Sequence, residues 1–453
     1  MTNEYGKMKT AKIITVDGLN PRFLGAYGNT WVQTPFLDQL ASRSIVAEYF
    51  IAEAFDKSVL MQRIAEASAS RRESNSLQVE PNLFGFQKTT LITDDEVFAS
   101  NFGNLFKTVE WVQVESEIPD DGQTDNQPET HFERLFSVAA LYDSHMDSGN
   151  IGDSNASPSE LIWIHSSGMS LQWDAPLEMQ EHFKGETDPE PRVFSPPPFL
   201  TLDEHFDPDQ RTEILHGYAA EIRSLDESLE RYFKATEPKT ASAWPSLTLF
   251  CGLRGFPLGE HLHVGIPPDN QRRKDDATNV DDTGPADELY CENLHVPFFL
   301  TSNATTTDSS ETGETNLKFD RAQFEGDRVD QFLQTSDIAA ILRKWLETPE
   351  NGDLEIPTRE LAISTCRNQS RIQTDDWSLI LRSEQTSNHP DTQDIEDGIR
   401  RRLFAKPDDR LEINEVSGIC EEIADNLEAS LKKELAARGL AKQVHGESGY
   451  FKT

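Results

Sequence analysis

A β-branched run followed at once by an acid and a glycine sets the frame of this chain. Ile13, Ile14, Thr15 and Val16 read as a strand covered on both faces, because such residues in series suit a buried pleated surface. Asp17 and Gly18 follow. After them come the turn residues Gly25, Gly28 and Asn29, then Thr34, Pro35 and Phe36, and a short helix from Leu37 to Ser42. A buried strand of this kind is expected in the middle of a parallel sheet. Asp17 then stands at its carboxyl end, where open α/β sheets keep their ligand sites.

Further strands are expected at Lys88–Thr93, Leu161–His165, Ser246–Phe250 and Tyr290–Leu300. Ile214, Leu215, Tyr218, Ala219, Ile222, Leu225 and Leu229 recur at three and four, the period of a helix packed on a core. Within Ala47–Ala67 the apolar pattern Val59, Leu60 and Ile64 with alanines reads as a buried helix, as does Val329–Leu346. Asp94 and Asp95 fit a helix cap at a strand end, with metal ligation as the alternative. Residues Ile118–Glu133, Glu190–Leu200, Pro267–Leu289 and Thr301–Asn316 read as polar or Pro-rich loops. From Pro349 the pattern changes to short antiparallel strands, then an amphipathic helix carrying Val416, Ile419, Cys420, Ile423, Leu427, Leu431 and Leu435. The 453 residues divide most simply into a large α/β domain over 10–348 and a small subdomain over 349–453.

The formal net charge is −37, which argues against nucleic acid and anionic membranes as partners. It also repels sulfated or phosphorylated polymers unless a basic pocket offsets it, and no long basic block is visible. No apolar run reaches the roughly 18 residues of a membrane span, and the first residues lack the apolar core of a secretory signal. The four cysteines lie far apart without metal-ligand spacing. A cytoplasmic protein with reduced thiols is the simplest expectation.

Several segments carry a longer pattern. Leu24-Gly25-Ala26-Tyr27-Gly28 and Thr34-Pro35-Phe36-Leu37-Asp38-Gln39-Leu40-Ala41 follow the first strand. Trp173, Asp174 and Pro176 come later, then Tyr218, Leu225 and Asp226 on the long helix. Gly255, Leu258, Gly259, Glu260 and His261 follow the strand at Ser246–Phe250, and Asp409, Glu412 and Asn414 lie near the end. Together they resemble the sulfatase family, within the alkaline-phosphatase-like hydrolases, from about residue 12 to 440. The resemblance implies an alkaline-phosphatase-like sandwich with a central, mostly parallel sheet between helices. It also implies a small C-terminal α+β subdomain with an antiparallel sheet. For activity it implies sulfuric-ester hydrolysis with a calcium ion and an oxidised Cys or Ser nucleophile.

The chemical positions depart from that pattern. Gly18 stands where many members have a second acid. No Cys-x-Pro-x-Arg or Ser-x-Pro-x-Arg occurs in Ala47–Ala67, where Ser58 is nearest in kind. Ser58 reads as a helix cap or surface hydroxyl, with a nucleophile as the alternative. The family's site histidine falls near Ser170. His165, at a strand end, is the nearby imidazole, with a structural role as its simpler reading. Leu253 and Arg254 replace the Asp and His of the metal loop. Asp17, Gly18, Leu253 and Arg254 thus read as a vestigial metal site, with no metal expected.

Two readings follow. One is a sulfatase-like protein without catalysis that binds a protein partner or a sulfated or phosphorylated small molecule. The other is a sulfate- or phosphate-ester hydrolase with a rearranged site, using calcium and Asp17, Ser58, His165, Arg254 and His261. Because a carboxylate buried without its cation is costly, Arg254 is expected to contact Asp17. The alternative places Arg254 in solvent beside Glu260.

Overall fold

The computed structural model describes residues 9–68, 83–114, 129–144, 159–194, 196–237, 246–267, 289–302, 316–319, 326–348, 354–383 and 399–440. Among them the strands are β1 (Lys9–Val16), β2 (Ile45–Ile51), β3 (Lys88–Thr93), β4 (Thr108–Trp111), β5 (Ser159–Ser166), β6 (Leu200–Thr201), β7 (Ser246–Gly252), β8 (His263–Val264), β9 (His295–Val296), β10 (Phe298–Ser302), β11 (Asn316–Phe319), β12 (Arg328–Gln334), β13 (Leu354–Pro357), β14 (Ala362–Cys366), β15 (Gln369–Gln373), β16 (Trp377–Ser383) and β17 (Ile399–Ala405). The central mixed sheet runs β12-β2-β10-β7-β1-β5-β3-β4, with β9 against β2.

β1 lies between β5 and β7 and is parallel to both, with Val16 opposite Ser166 on one side and Gly252 on the other. β3 continues the parallel set, with Thr93 opposite His165. The carboxyl ends of four strands are therefore level, and the turns after them meet.

Side chains alternate across β1. Ala11 and Ile13 join a core with Leu249, Leu300, Leu342 and Trp345, while Ile14 and Val16 join one with Phe250, Tyr218 and Leu225. The helices α1 (Pro35–Ser42), α2 (Lys57–Ser68), α3 (Glu96–Phe102), α4 (His131–Ser144), α5 (Leu177–Glu181) and α6 (Pro208–Ala235), with a later one at Asp337–Glu347, cover the two faces. α6 also fixes local geometry through two of its side chains. The Tyr218 hydroxyl donates to Gly18 O at 2.8 Å and accepts from Asn20 N at 2.9 Å. Asp226 accepts from Phe36 N and Leu37 N, satisfying donors that the first turn of α1 would leave open.

β14-β15-β16-β17 form a separate antiparallel sheet. A helix at Glu421–Ala437 lays Ala424, Leu431 and Leu435 on Ile363, Ile372, Leu379 and Leu403. This sheet is tied to the central one by Thr365 N to Glu53 O and Ser364 Oγ to Ala52 O.

Several expected elements are corrected. The helix read from Val59, Leu60 and Ile64 is present as Lys57–Ser68, while the start of that window holds a strand, Ile45–Ile51, that was not read. Val46, Phe50 and Ile51 bury both faces of that strand, so it shows no alternation to mark it. Val329–Leu346 likewise divides into β12 and the Asp337–Glu347 helix. The break falls where the Asp337 carboxylate accepts from Gln334 N. Tyr290–Leu300 is a helical turn and two short strands, interrupted at Pro297, which has no N–H to give a ladder. Of the loop at Ile118–Glu133, residues 131–133 open α4; 118–128 lie outside the described residues. Val416, Ile419 and Cys420 precede the last helix, and Ile419 is 84% exposed. Most of Pro267–Leu289 and Thr301–Asn316 also lies outside the described residues.

No helix among the described residues is long and apolar enough to cross a membrane. All four cysteines are free. Cys251 is buried in β7, and burial pushes its thiol up. Cys420 is half-buried rather than buried as its place in the apolar pattern suggested. A native thiol titration is therefore expected to leave Cys251 unreacted while Cys420 reacts, with all four reacting after unfolding. Rapid native labelling of Cys251 would contradict that burial.

Candidate functional site

The turns after β1, β5 and β7 are laced through their backbones. Asp17 N donates to Ser166 O, Leu253 N to Val16 O, Gly18 N to Arg254 O, and Met169 N to Asp17 O, each at 3.0 Å. Gly168 permits this approach. Its φ is +53°, and a Cβ there would stand 2.1 Å from Asp17 O.

Into this frame the side chains of Asp17 and Arg254 are both fully buried. Arg254 Nε donates to Asp17 Oδ1 at 2.7 Å and Nη2 to Oδ2 at 2.8 Å, the forked geometry in which a guanidinium best matches a carboxylate. Nη1 donates to Phe55 O at 3.2 Å, and the guanidinium carbon lies 5.4 Å from the Phe55 ring centre. Ser170 Oγ donates to Asp17 Oδ2 at 2.8 Å. Burial pushes the Asp17 carboxyl up, but Arg254, with help from Lys57 and His165, holds it below its ordinary value. The expected contact is thus present. Glu260 pairs with Arg22 instead.

Calcium does not fit at this position. It takes about six to eight oxygen ligands, and the one carboxylate here is engaged on both oxygens by a fixed cation. Leu253 is buried and apolar. Gly18 has no donor side chain, and a Cβ added there would stand 3.1 Å from Met169 Cβ.

The other candidate residues do not join the Asp17–Arg254 pair through hydrogen bonds. Ser58 is the second residue of α2. Its N–H goes to Asp56 Oδ1 at 2.7 Å, so Asp56 supplies the cap, and no base bonds its hydroxyl among the described residues. His165 is fully buried. Its Nδ1 lies 2.9 Å from Thr15 Oγ1, its Nε2 lies 3.7 Å from Asp95, and its ring stacks on Phe98 at 3.8 Å. Asp95 caps α3 through Phe98 N and pairs with Lys57 at 2.6 Å. Asp94 accepts from Ser167 N at 2.6 Å and from Ser166 Oγ. Both acids thus order the turns after β3 and β5.

His261 belongs to a second place. Its ring stacks on Tyr290 at 3.4 Å, Nδ1 lies 2.5 Å from Glu292, and Nε2 lies 3.0 Å from Glu412 O. Burial lowers its pKa, while Glu292 and Glu412 more than offset this and leave it raised. It lines a cavity of about 240 Å³ with Tyr290, Arg400, Arg402, Phe404 and Glu412. On β17, Leu403 faces the helix at Glu421–Ala437, so Arg400, Arg402 and Phe404 take the opposite face. Arg402 reaches the Tyr290 hydroxyl. Glu412 is neutralised from beneath by Arg371 at 2.6 Å and Lys406 at 3.0 Å. Its arginines stand together in the sequence on β17, a run too short to mark a basic block, and the residues that complete the cavity come from distant segments.

No family model and no curated protein matches the sequence. Solved structures match its fold. One is a protein in complex with its substrate D-glucosamine-2-N,6-O-disulfate, at 14% identity and TM-score 0.61, covering 98% of this chain and 99% of that one. Another is the phosphonate monoester hydrolase of Agrobacterium radiobacter, at 13% identity and TM-score 0.57, covering 95% and 96%. A third is a 2-O GAG sulfatase, at 12% identity and TM-score 0.58, covering 95% and 92%. The chain has a sulfatase-like, alkaline-phosphatase-like fold. The sulfatase-like fold spans both sheets, so the Asp17–Arg254 pair and the arginine-lined cavity belong to one chain-long architecture.

Proposed function

We propose that this chain is a sulfatase-like protein without hydrolytic activity, which binds a sulfated or phosphorylated small molecule. The observation that carries this reading is Arg254. Its guanidinium is forked onto Asp17 at the strand end where the resemblance places a catalytic cation. A fixed organic cation can neutralise the acid, yet it offers no open coordination position to polarise an ester or activate a nucleophile. Ser58, with no paired base, supports the same reading.

The cavity beside His261 supports the binding role. Arg400 and Arg402 are suited to the oxygens of a sulfate or phosphate group, and Tyr290 and Phe404 give an apolar wall for the rest of a small ligand. In a chain of net charge −37, such a recess also localises attraction for an anion that the remaining surface repels. The free thiols support a reducing compartment, and we place the protein in the cytoplasm.

Aryl sulfate and aryl phosphate assays with added calcium, on protein co-expressed with a formylglycine-generating system, are expected to show no turnover. Turnover that disappears in Ser58→Ala would overturn the reading. Titration calorimetry with D-glucosamine-2-N,6-O-disulfate is expected to show salt-sensitive binding, weakened tenfold or more by Arg400→Glu with Arg402→Glu. Binding unchanged by those substitutions would remove the cavity from the proposal.

A further inference from the structure

A cluster away from both places is built from three separate parts of the chain. His131 is the first residue of α4, Glu221 lies in the middle of α6, and Asp174 is in the turn before α5. One donor atom from each lies within 4.8 Å of the other two. His131 Nδ1 is 2.8 Å from Asp174 Oδ1, and Asp174 Oδ2 accepts from His131 N at 2.8 Å and from Gln172 Nε2 at 2.6 Å. Glu221 Oε1 accepts from Ala175 N at 2.7 Å.

One feature points to a missing partner. Glu221 is 2% exposed, yet its Oε2, turned toward this cluster, has no hydrogen bond. A buried carboxylate oxygen is seldom left so. Two carboxylates face one imidazole, and no lysine or arginine pairs with the three among the described residues.

We propose that His131, Asp174 and Glu221 bind one divalent transition-metal ion, with zinc as the best match. One imidazole nitrogen and two carboxylate oxygens, without sulfur, form a donor set that zinc accepts, and three protein ligands leave one position for water. Calcium is disfavoured by the small number of oxygens. Zinc bond lengths set the donors about 3.4 Å apart, the edge of a tetrahedron, so His131 Nδ1 and Asp174 Oδ1 must part from 2.8 Å while Glu221 closes from within 4.8 Å. Both adjustments are within reach of side-chain rotation. Gln172 and Ala175 N already orient the two carboxylates. The Asp174 side chain is 11% exposed and gives the ion a way in from solvent. Bound there, the ion ties α4, α6 and the Trp173–Pro176 turn together. The inference does not depend on whether the Asp17–Arg254 site is catalytic or on what the arginine-lined cavity holds.

The test uses the full chain, stripped with a chelator and titrated with zinc. One equivalent is expected to bind, with a rise in Tm of several degrees, and cobalt is expected to give the visible absorption of a tetrahedral site. Glu221→Gln keeps the acceptor for Ala175 N and removes the ligand. It is expected to fold with a Tm near that of the stripped protein and to bind zinc at least tenfold more weakly. His131→Ala is expected to abolish the cobalt band. Zinc binding of equal strength in Glu221→Gln would assign the ion to another place, such as an exposed histidine, and overturn the proposal. So would the absence of any zinc-dependent Tm shift in the natural chain, or a larger shift with calcium.

Discussion

Arg254→Ala is expected to lower the folding stability by about 3–5 kcal/mol, the cost typical of leaving one member of a buried ion pair alone. The side chain is 1% exposed and its partner Asp17 0%, so water does not replace the lost contacts. Its hydrogen bonds go with it, among them two to Asp17 and one to Phe55 O. Urea unfolding should show a lower midpoint at unchanged slope. Asp17→Asn in the Arg254→Ala background should restore much of the loss, because the uncompensated charge is then gone. A cost below about 1 kcal/mol for Arg254→Ala would mean that water reaches the pair, as at exposed ion pairs.

The pair also has a pH signature. The Asp17 carboxyl is held below its ordinary value of 3.8, so the folded state binds that proton less readily than the unfolded one. Its stabilisation is fully present above that ordinary value and is lost as the pH falls through the lower, folded-state value. The acid limb of the stability curve should therefore flatten when Asp17 and Arg254 are replaced together by Asn and Met. Calcium should leave the Tm of the natural chain unchanged, since Arg254 holds the place the cation would need.

Gly168→Ala is expected to cost about 3 kcal/mol through two additive causes, a left-handed backbone and steric overlap. The φ there is +53°, and the new Cβ would meet Asp17 O at 2.1 Å and Val16 Cγ1 at 2.9 Å. Neither atom can yield easily. Asp17 O accepts from Met169 N, and Val16 lies in the centre of the sheet. Gly28→Ala provides the comparison. Its φ is +90°, but nothing lies within 4 Å of its Cβ position, so only the backbone penalty of about 1–2 kcal/mol remains. Equal losses at the two positions, measured by urea unfolding, would show that close packing at Gly168 contributes nothing.

Much of the fold was legible because it rests on local pattern. The run Ile13–Val16, the turn glycines and the stripe on Pro208–Ala235 each carry their period within a few turns of chain. The strand Ile45–Ile51 was not read because burial on both faces removes alternation, and Arg328–Gln334 was merged into the helix that follows it because a register shift between Val329 and Phe332 breaks its alternation. The small C-terminal sheet was legible in its strands. Its last helix was read too early, since the apolar residues of the preceding turns happen to fall in helical phase.

The candidate site divides along the same line. Sequence alone placed Asp17 at the end of one buried strand and Leu253 and Arg254 after another. That the two strand ends converge was what the family resemblance implied, and the parallel register of β1 and β7 brings them together. Only the tertiary structure decided what lies between distant elements. It separated Ser58, His165 and His261 into different surroundings. It gathered Arg400, Arg402, Tyr290 and His261 around one cavity. It placed His131, Asp174 and Glu221 within reach of a single ion. Apart from Arg400 and Arg402, two apart on β17, these groupings have no spacing in the chain, because each is set by how helices and loops pack across the sheet. The direction of a polar side chain at such a junction depends on neighbours hundreds of positions away rather than on the residues beside it.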